Sequence, residues 1–221
     1  LLASSAASDV YKRQGPVAYA TFGLMGFYPT EDAYTLNQPH TKFPSHTDRK
    51  LTLGVDLTTG SLGQGASTAA GAALGNKIDG RQSHVFCVVG DGEADEGQVW
   101  EAFHFAYAHK LDNLIYIIDN NGYQLDGKTA DILDHGDIAK KAAGFGLYTQ
   151  EIDGHDVEAI YQAIQNAYAK KGVPSCIVLD TIKGKGATFA EPKREHSSQP
   201  SEEAWQEAIA AAEKALEEGR K

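Results

Sequence analysis

The sequence lacks the features of a disulfide-bonded, membrane-spanning or nucleic-acid-binding protein. Its only cysteines, Cys87 and Cys176, lie in apolar runs typical of buried strands, which argues against a disulfide scaffold and for a reducing compartment. No apolar run approaches the roughly 20 residues that a membrane helix requires. Its 20 basic residues against 30 acidic ones give a net charge of −10, without the basic patch that nucleic acid needs. We therefore expect a soluble, cytoplasmic protein that binds neither nucleic acid nor membranes.

The two ends of the chain have unlike compositions. Residues 1–14 begin without Met, show no helical or strand periodicity and place their basic residues last, unlike a signal peptide. We expect a non-native or unstructured leader there. Ser201, followed by two glutamates and a run of Ala, Leu, Glu and Lys, predicts a capped surface helix within residues 200–221. Residues 15–199 are then the folded domain.

The central region alternates between apolar strands and helices. Strands are predicted at residues 84–89, 114–118, 147–152 and 175–179, and helices near residues 66–74, 97–110, 137–144 and 156–171. Strands that are apolar throughout, separated by helices of this length, indicate a sheet buried on both faces. The sequence therefore predicts an α/β fold with a mostly parallel sheet and helices on both faces.

Acidic residues crowd the loop after the first of these strands. Residues 90–97 read Gly-Asp-Gly-Glu-Ala-Asp-Glu-Gly, with glycines that let a ligand approach the backbone and carboxylates that would repel a phosphate. A divalent cation between Asp91 and phosphate oxygens resolves that conflict. We expect this loop to be exposed. Glu93 and Asp95 belong to no ligand set, and we expect both to be solvated.

The next strand is followed by Asp-Asn-Asn-Gly-Tyr, residues 119–123. Asn121 offers a side-chain carbonyl, and the turn after it can present a backbone carbonyl, oxygen ligands of the type that Mg²⁺ and Ca²⁺ prefer. Carboxyl ends of parallel strands meet at one sheet edge, where ligands bind in such folds. Gly-Asp-Gly alone is usually an ordinary turn, but its pairing with Asn121 favours a cation site.

These blocks resemble the transketolase family of thiamine-diphosphate enzymes and occur in that family's order from Gly15 to about Ser201. The matching segments are Thr-Thr-Gly-Ser-Leu-Gly-Gln-Gly (58–65), Gly-Asp-Gly-Glu (90–93), Glu-Gly-Gln-Val-Trp-Glu (96–101), Asp-Gly-His-Asp (153–156) and Thr-Ile-Lys-Gly-Lys-Gly (181–186). The resemblance implies the three-layer thiamine-diphosphate-binding fold. It covers only the diphosphate-binding half, as in transketolases split into N- and C-terminal subunits.

The resemblance also implies the cofactor contacts. Asp91, Asn121 and the carbonyl of Tyr123 would ligate Mg²⁺ or Ca²⁺, with Gly92 and Asn121 touching the diphosphate. Lys183 would reach the cofactor edge. The residues that would line the pocket for the cofactor rings are Gly60, Ser61 and Leu62.

Catalytic roles follow from the same resemblance. His46 is similar to the family's donor-sugar histidine, His196 to a histidine near substrate and diphosphate, and Glu96 to a carboxylate that meets its counterpart across a subunit interface. The family also has a Gly-His segment just before Gly15, where this chain has Arg13.

Three functions are open on the sequence alone. The first is transfer of a two-carbon ketol unit between phosphorylated sugars, with the chemistry supplied by thiamine diphosphate. The second keeps the cofactor and changes the reaction, as in deoxyxylulose-phosphate or dihydroxyacetone synthase. The third is a cofactor-free interaction subunit. In the first case the expected partner is a C-terminal transketolase subunit with the pyrimidine-binding and C-terminal domains, in an α₂β₂ assembly.

Overall fold

The computed structural model describes the backbone of residues 2–4, 8–191 and 200–219, and side chains from residue 15 onward in those ranges. The strands there are β1 (Leu2–Ser4), β2 (Val85–Gly90), β3 (Leu114–Asn120), β4 (Tyr123–Gln124), β5 (Gly127–Lys128), β6 (Tyr148–Asp153) and β7 (Ser175–Asp180). The α-helices are α1 (Ser8–Leu24), α2 (Gln64–Ile78), α3 (Gly97–Ala108), α4 (Thr129–Ile132), α5 (Ile138–Gly144), α6 (Val157–Ala169) and α7 (Glu202–Gly219). Short 3₁₀ turns cover Thr30–Thr35 and Glu93–Asp95.

Five strands form one parallel sheet in the order β1-β2-β3-β7-β6. A separate antiparallel hairpin, β4–β5, follows β3. The four central strands and four helices lie where the sequence predicts them. The α/β fold with a parallel sheet is therefore confirmed.

The core lies on both faces of the sheet because successive strand residues point to opposite sides. On one face, fully buried strand residues such as Cys87 and Tyr116 pack against alanines of α2 and α3. On the other, Ile115 and Ile177 pack against Ala163 and Ala167 of α6. Among the described residues, no helix combines the length and apolar character needed to cross a bilayer.

The first residues differ from the expected unstructured leader. Leu2–Ser4 pairs in parallel with Phe86–Val88 of β2. An edge strand presents backbone N–H and C=O groups that can pair with a further strand in this way. The helix α1 begins at Ser8 and continues through Gly15 and Pro16 to Leu24. That residues 1–14 are non-native stays a prediction.

The helix expected near the other end is α7. Its cap has the predicted form, since the Ala204 amide donates to Ser201 Oγ at 3.3 Å. The Trp205 ring meets Phe189 edge-on, with the ring centroids 4.8 Å apart, and so fixes α7 to the segment that follows β7.

Candidate functional site

Three parallel strands end level with one another at the carboxyl edge of the sheet. The register pairs Gly90 of β2 with Asp119 of β3, and Asn120 of β3 with Asp180 of β7. The segments that follow them, residues 91–97, 121–128 and 181–191, therefore emerge side by side. This is the shared edge that the sequence predicts for the Asp91 and Asn121 loops.

The carboxylate of Asp91 is 1% exposed and is held by three donors. The Gly92 amide donates to Oδ1 at 2.8 Å, and the Gly122 amide and Thr129 Oγ1 donate to Oδ2 at 2.7 and 3.0 Å. Burial raises the pKa of Asp91, and these hydrogen bonds only partly offset that effect. Because each carboxylate oxygen accepts about two bonds, Oδ1 keeps acceptor capacity for a cation.

Asn121 is also buried, and both ends of its side-chain amide are fixed. Its Nδ2 donates to Asp119 Oδ2 at 3.0 Å, and its Oδ1 accepts from the Tyr123 amide at 3.0 Å. Asp119 is held in turn by the hydroxyl of Thr181, which donates to Oδ1. The next residue, Gly122, binds Asp91, so the turn places the Asn121 carbonyl oxygen in the same loop cluster.

Gly92 allows the Asp91 loop to lie directly against β4. A Cβ at Gly92 would stand 2.5 Å from Gln124 Cβ, a distance that real Cβ atoms do not reach. Gln124 Nε2 is buried and has no hydrogen-bond partner among the described residues. A buried amide donor beside Gly92 suits an oxygen-rich ligand such as a phosphate.

The prediction that Glu93 is solvated is wrong. Its side chain is fully buried, and the carboxylate accepts from the Gly63 amide at 2.7 Å and the Gly90 amide at 3.3 Å. The 3₁₀ turn Glu93–Asp95 causes this, because it folds the chain back toward β2. Asp95 is half-buried rather than solvated, and its burial raises its pKa.

A second cluster lies at the start of α2. Gly60 has φ of +147°, and a Cβ there would stand 2.2 Å from His46 Cδ2, so the imidazole lies directly on the backbone. Together they border a cavity of about 310 Å³ whose walls are mainly hydroxyl and amide groups. Its lining includes His46, Thr58, Thr59, Gly60, Ser61 and Gln64. His46, Gly60 and Ser61, expected at one site, are thus brought together.

Leu62 joins this loop to α3, since its carbonyl oxygen accepts from Gln98 Nε2 at 2.7 Å. Gly63 follows with φ of +75°, and a Cβ on it would lie 3.0 Å from Glu96 Cβ. Glu96 is the half-buried N-cap of α3 and lies next to Gly63, at the end of the loop that holds Gly60, Ser61 and Leu62.

Lys183 follows β7 and is 5% exposed, so it is buried at the same sheet edge. The adjoining residue, Ile182, donates its amide to His155 Nε2 at 2.8 Å, which ties this segment to the turn after β6. Lys185 is exposed and forms an ion pair with Glu191 at 3.6 Å. His196 lies outside the described residues.

Sequence reasoning missed several residues that organise this edge. Asp119 lies near the end of β3 and Thr181 directly follows β7, and a place at the carboxyl end of a strand was a usable signal. Nothing in the sequence pattern distinguished Glu93 from its acidic neighbours.

Among residues 15–191 and 200–219, no three His, Cys, Asp or Glu side chains are grouped to hold a metal. A cation here would therefore also need amide or backbone oxygens, such as that of Asn121.

Comparison with known proteins gives a consistent result. Residues 14–216 match the family model described as the thiamine diphosphate binding domain of transketolase. The chain is 46% identical over 201 residues to the 6-deoxy-6-sulfo-D-fructose transketolase subunit SqwG of Clostridium sp. (strain MSTE9), a match that covers 90% of this chain and 73% of that protein. It is 36% identical to an apulose-4-phosphate transketolase subunit of Actinobacillus succinogenes, over 80% of this chain and 64% of that protein.

The fold also matches a solved structure. The crystal structure of transketolase from Campylobacter jejuni superposes with a TM-score of 0.85 and 31% identity. The match covers 96% of this chain but only 34% of that one, so the chain spans about a third of that transketolase.

Proposed function

This chain belongs to the transketolase thiamine-diphosphate-binding family, and we propose that it is the diphosphate-binding subunit of a two-subunit transketolase. The assembled enzyme would transfer a two-carbon ketol unit between sugar phosphates. One observation carries the proposal: the buried carboxylate of Asp91 and the fixed amide of Asn121 share a loop cluster at the sheet edge where ligands bind.

The residues at this edge fit a metal-bound diphosphate. Asp91, Asn121 Oδ1 and the Tyr123 carbonyl would hold Mg²⁺ or Ca²⁺, since these are hard oxygen ligands with one carboxylate. Gly92 would contact the diphosphate beside Gln124 Nε2, which has no hydrogen-bond partner in the part of the chain that the structure describes, and Lys183 would add a positive charge.

The ring pocket would lie at the start of α2. Gly60 and Ser61, which border the hydroxyl-rich cavity together with His46, would line it, and so would Leu62, the next residue of the loop. When bound, thiamine diphosphate would supply the stabilised carbanion equivalent that ketol transfer needs.

Two histidines and a glutamate would act on substrate or on assembly. His46, at the edge of the cavity, would orient the donor sugar and exchange protons with its hydroxyl groups. His196 would contact substrate and diphosphate. Glu96, at the start of α3, would meet its counterpart across an interface between copies of this subunit.

A partner is part of the proposal. Two relatives carry the word subunit in their names, and the match to the Campylobacter enzyme is partial. We propose that a C-terminal subunit supplies the pyrimidine-binding side and that the assembly is α₂β₂. Substrates are proposed only as a class, because the named relatives act on different sugars.

A product assay tests the reaction. The complex of this chain and its C-terminal partner would be given xylulose 5-phosphate with ribose 5-phosphate, or 6-deoxy-6-sulfo-D-fructose with glyceraldehyde 3-phosphate. We expect a ketose two carbons longer than the acceptor in at least one mixture. Carbon dioxide release from pyruvate with glyceraldehyde 3-phosphate, and no ketol transfer, would instead support the deoxyxylulose-phosphate synthase reaction. Failure of the complex to bind thiamine diphosphate with Mg²⁺ would leave only the interaction subunit.

A further inference from the structure

Glu93 is a fully buried carboxylate that has no place in the proposed ligand set. Its two oxygens bind two different segments: Oε1 accepts from the Gly63 amide at 2.7 Å, and Oε2 from the amide of Gly90, the last residue of β2, at 3.3 Å. Gly63 ends the loop that lines the cavity with His46, and Gly90 immediately precedes Asp91. The side chain therefore bridges the two halves of the candidate site.

A carboxylate is suited to this bridge in a way that an amide is not. Both amide donors are buried with it, and a buried N–H group without an acceptor is costly. A glutamine offers one acceptor oxygen, and its NH₂ group would face the second N–H. An aspartate is one methylene shorter and would not span both amides.

Two further contacts keep the loops in register. Gln98 Nε2 donates to the Leu62 carbonyl at 2.7 Å, next to the amide that Glu93 holds. Gly63 has space only for hydrogen, because a Cβ there would lie 2.8 Å from Gln98 Cγ. The α2 start is thus tied to the Glu93–Gln98 segment at two adjacent backbone groups.

We propose that Glu93 is a positioning residue that sets the spacing between two loops. One is the Asp91 loop, residues 90–97, and the other is the loop of residues 58–63, which borders the cavity with His46. This rests on the proposed function, since it assumes that one cofactor spans both loops. Glu93 would touch neither the metal nor the cofactor. Its effect would appear for a ligand that uses both loops, and much less for one that uses the Asp91 loop alone.

Two probes separate those cases in the complex with the C-terminal subunit. Calorimetry with saturating Mg²⁺ would measure thiamine diphosphate, which needs both loops, and inorganic pyrophosphate, which needs only one. For Glu93→Gln we expect thiamine diphosphate to bind at least about tenfold more weakly, the effect of losing a hydrogen bond to a charged group, while pyrophosphate affinity changes much less.

Asp95→Asn is the matched control. It removes the same charge from the same 3₁₀ turn, but Asp95 Oδ2 has no hydrogen-bond partner among the described residues. Both affinities should stay near wild type in this variant. Gln98→Leu removes the neighbouring hydrogen bond to Leu62. It should weaken the binding of thiamine diphosphate but not of pyrophosphate, and by less than Glu93→Gln does. If Glu93→Gln is not recovered folded, Gln98→Leu tests instead whether the tie between the two loops selectively supports thiamine diphosphate binding.

The outcomes are distinct from those for the proposed function. If wild type binds thiamine diphosphate and Glu93→Gln binds it equally well, Glu93 is not a positioning residue. Equal losses for both ligands would mean that Glu93 only stabilises the fold, and would also overturn the proposal. A wild-type complex that binds no thiamine diphosphate would refute the proposed function and, with it, this inference.

Discussion

The side-chain amide of Asn121 donates to Asp119 Oδ2 at 3.0 Å, and this contact decides which way the amide faces. With Nδ2 on the carboxylate, Oδ1 lies on the side of the Tyr123 amide, which donates to it at 3.0 Å. Thr181 holds Asp119 from the neighbouring strand end. Partners of this kind orient metal ligands, and their loss commonly weakens metal binding by about 10- to 100-fold.

Asp119→Ala should therefore weaken metal binding without removing a proposed ligand. We expect the Mg²⁺ concentration that half-saturates thiamine diphosphate binding to rise by about tenfold or more, because the Asn121 amide is released to rotate. Titration of Mg²⁺ into the complex at fixed thiamine diphosphate measures this.

The adjacent pair Asn120 and Asp180 offers a matched control. Asn120 Nδ2 donates to Asp180 Oδ1 at 2.9 Å, an amide-to-carboxylate contact like that of Asn121 with Asp119 but exposed and between neighbouring strands. Asp180→Ala should leave the Mg²⁺ requirement close to wild type. An equal effect of the two variants would show that the Asp119 contact has no special role.

Asp91→Asn should abolish Mg²⁺-dependent cofactor binding and also lower stability. Asp91 is buried and accepts three hydrogen bonds, so the expectation of an exposed loop is wrong at this residue, and Asp91→Ala would leave three donors unmatched. The isosteric Asn retains one acceptor oxygen, and we expect the free energy of unfolding to fall by about 1–3 kcal/mol. Calorimetric binding and urea unfolding test the two effects separately. Wild-type cofactor affinity would show that the metal ligand has been misassigned.

Gly60→Ala should disturb the cavity by displacing His46. A Cβ would lie 2.2 Å from His46 Cδ2, and the φ of +147° is itself strained for alanine. Gly80→Ala separates the two causes, because Gly80 has φ of +68° and nothing within 4 Å of the added Cβ. We expect both variants to melt at lower temperature but only Gly60→Ala to weaken thiamine diphosphate binding in the complex. Unchanged binding would place the cofactor away from this loop.

The Asp112 carboxylate should make stability fall in acid. Partial burial raises its pKa, but the Lys77 ammonium at 2.7 Å and the Gly172 amide at 2.8 Å outweigh this, so the pKa lies below its ordinary value of 3.8. The unfolded chain then takes up the proton first. The stabilisation is complete above the unfolded pKa and disappears as pH falls through the folded one.

Asp112→Asn measures that contribution. Because the ion pair is partly exposed, we expect it to be worth less than about 1 kcal/mol. Urea unfolding from about pH 6 to about pH 2.5 should show wild type more stable at the upper end and the difference shrinking at the lower end. A difference that does not depend on pH would mean that packing, not charge, separates the two proteins.

Periodicity in the sequence located the four central strands and the helices between them, because apolar runs and their spacing are local properties. It also brought Asp91 and Asn121 to one edge, since strand ends of a parallel sheet must align. It did not find that Glu93 reaches Gly63, thirty positions away in sequence. That contact depends on how a 3₁₀ turn of three residues folds, and alternating Asp and Glu in a loop carry no signal for which one is buried.

The lone chain should have no transketolase activity. Its proposed metal ligands, Asp91 and Asn121, share a loop cluster at the carboxyl edge of the sheet, and His46 borders the cavity at the start of α2. Activation of the cofactor requires a carboxylate at its pyrimidine nitrogen, which in the resembled family comes from a separate pyrimidine-binding domain.

The family match, over residues 14–216, is to the thiamine diphosphate binding domain of transketolase. The purified chain with saturating thiamine diphosphate and Mg²⁺ should therefore show negligible ketol transfer, and should gain it when the C-terminal subunit is added. Activity should saturate at equal molar amounts of the two polypeptides, as an α₂β₂ assembly requires. An Asp91→Asn preparation purified identically serves as the control for contaminating transketolase. Robust turnover by the wild-type chain alone, with none in that control, would contradict the split-subunit proposal.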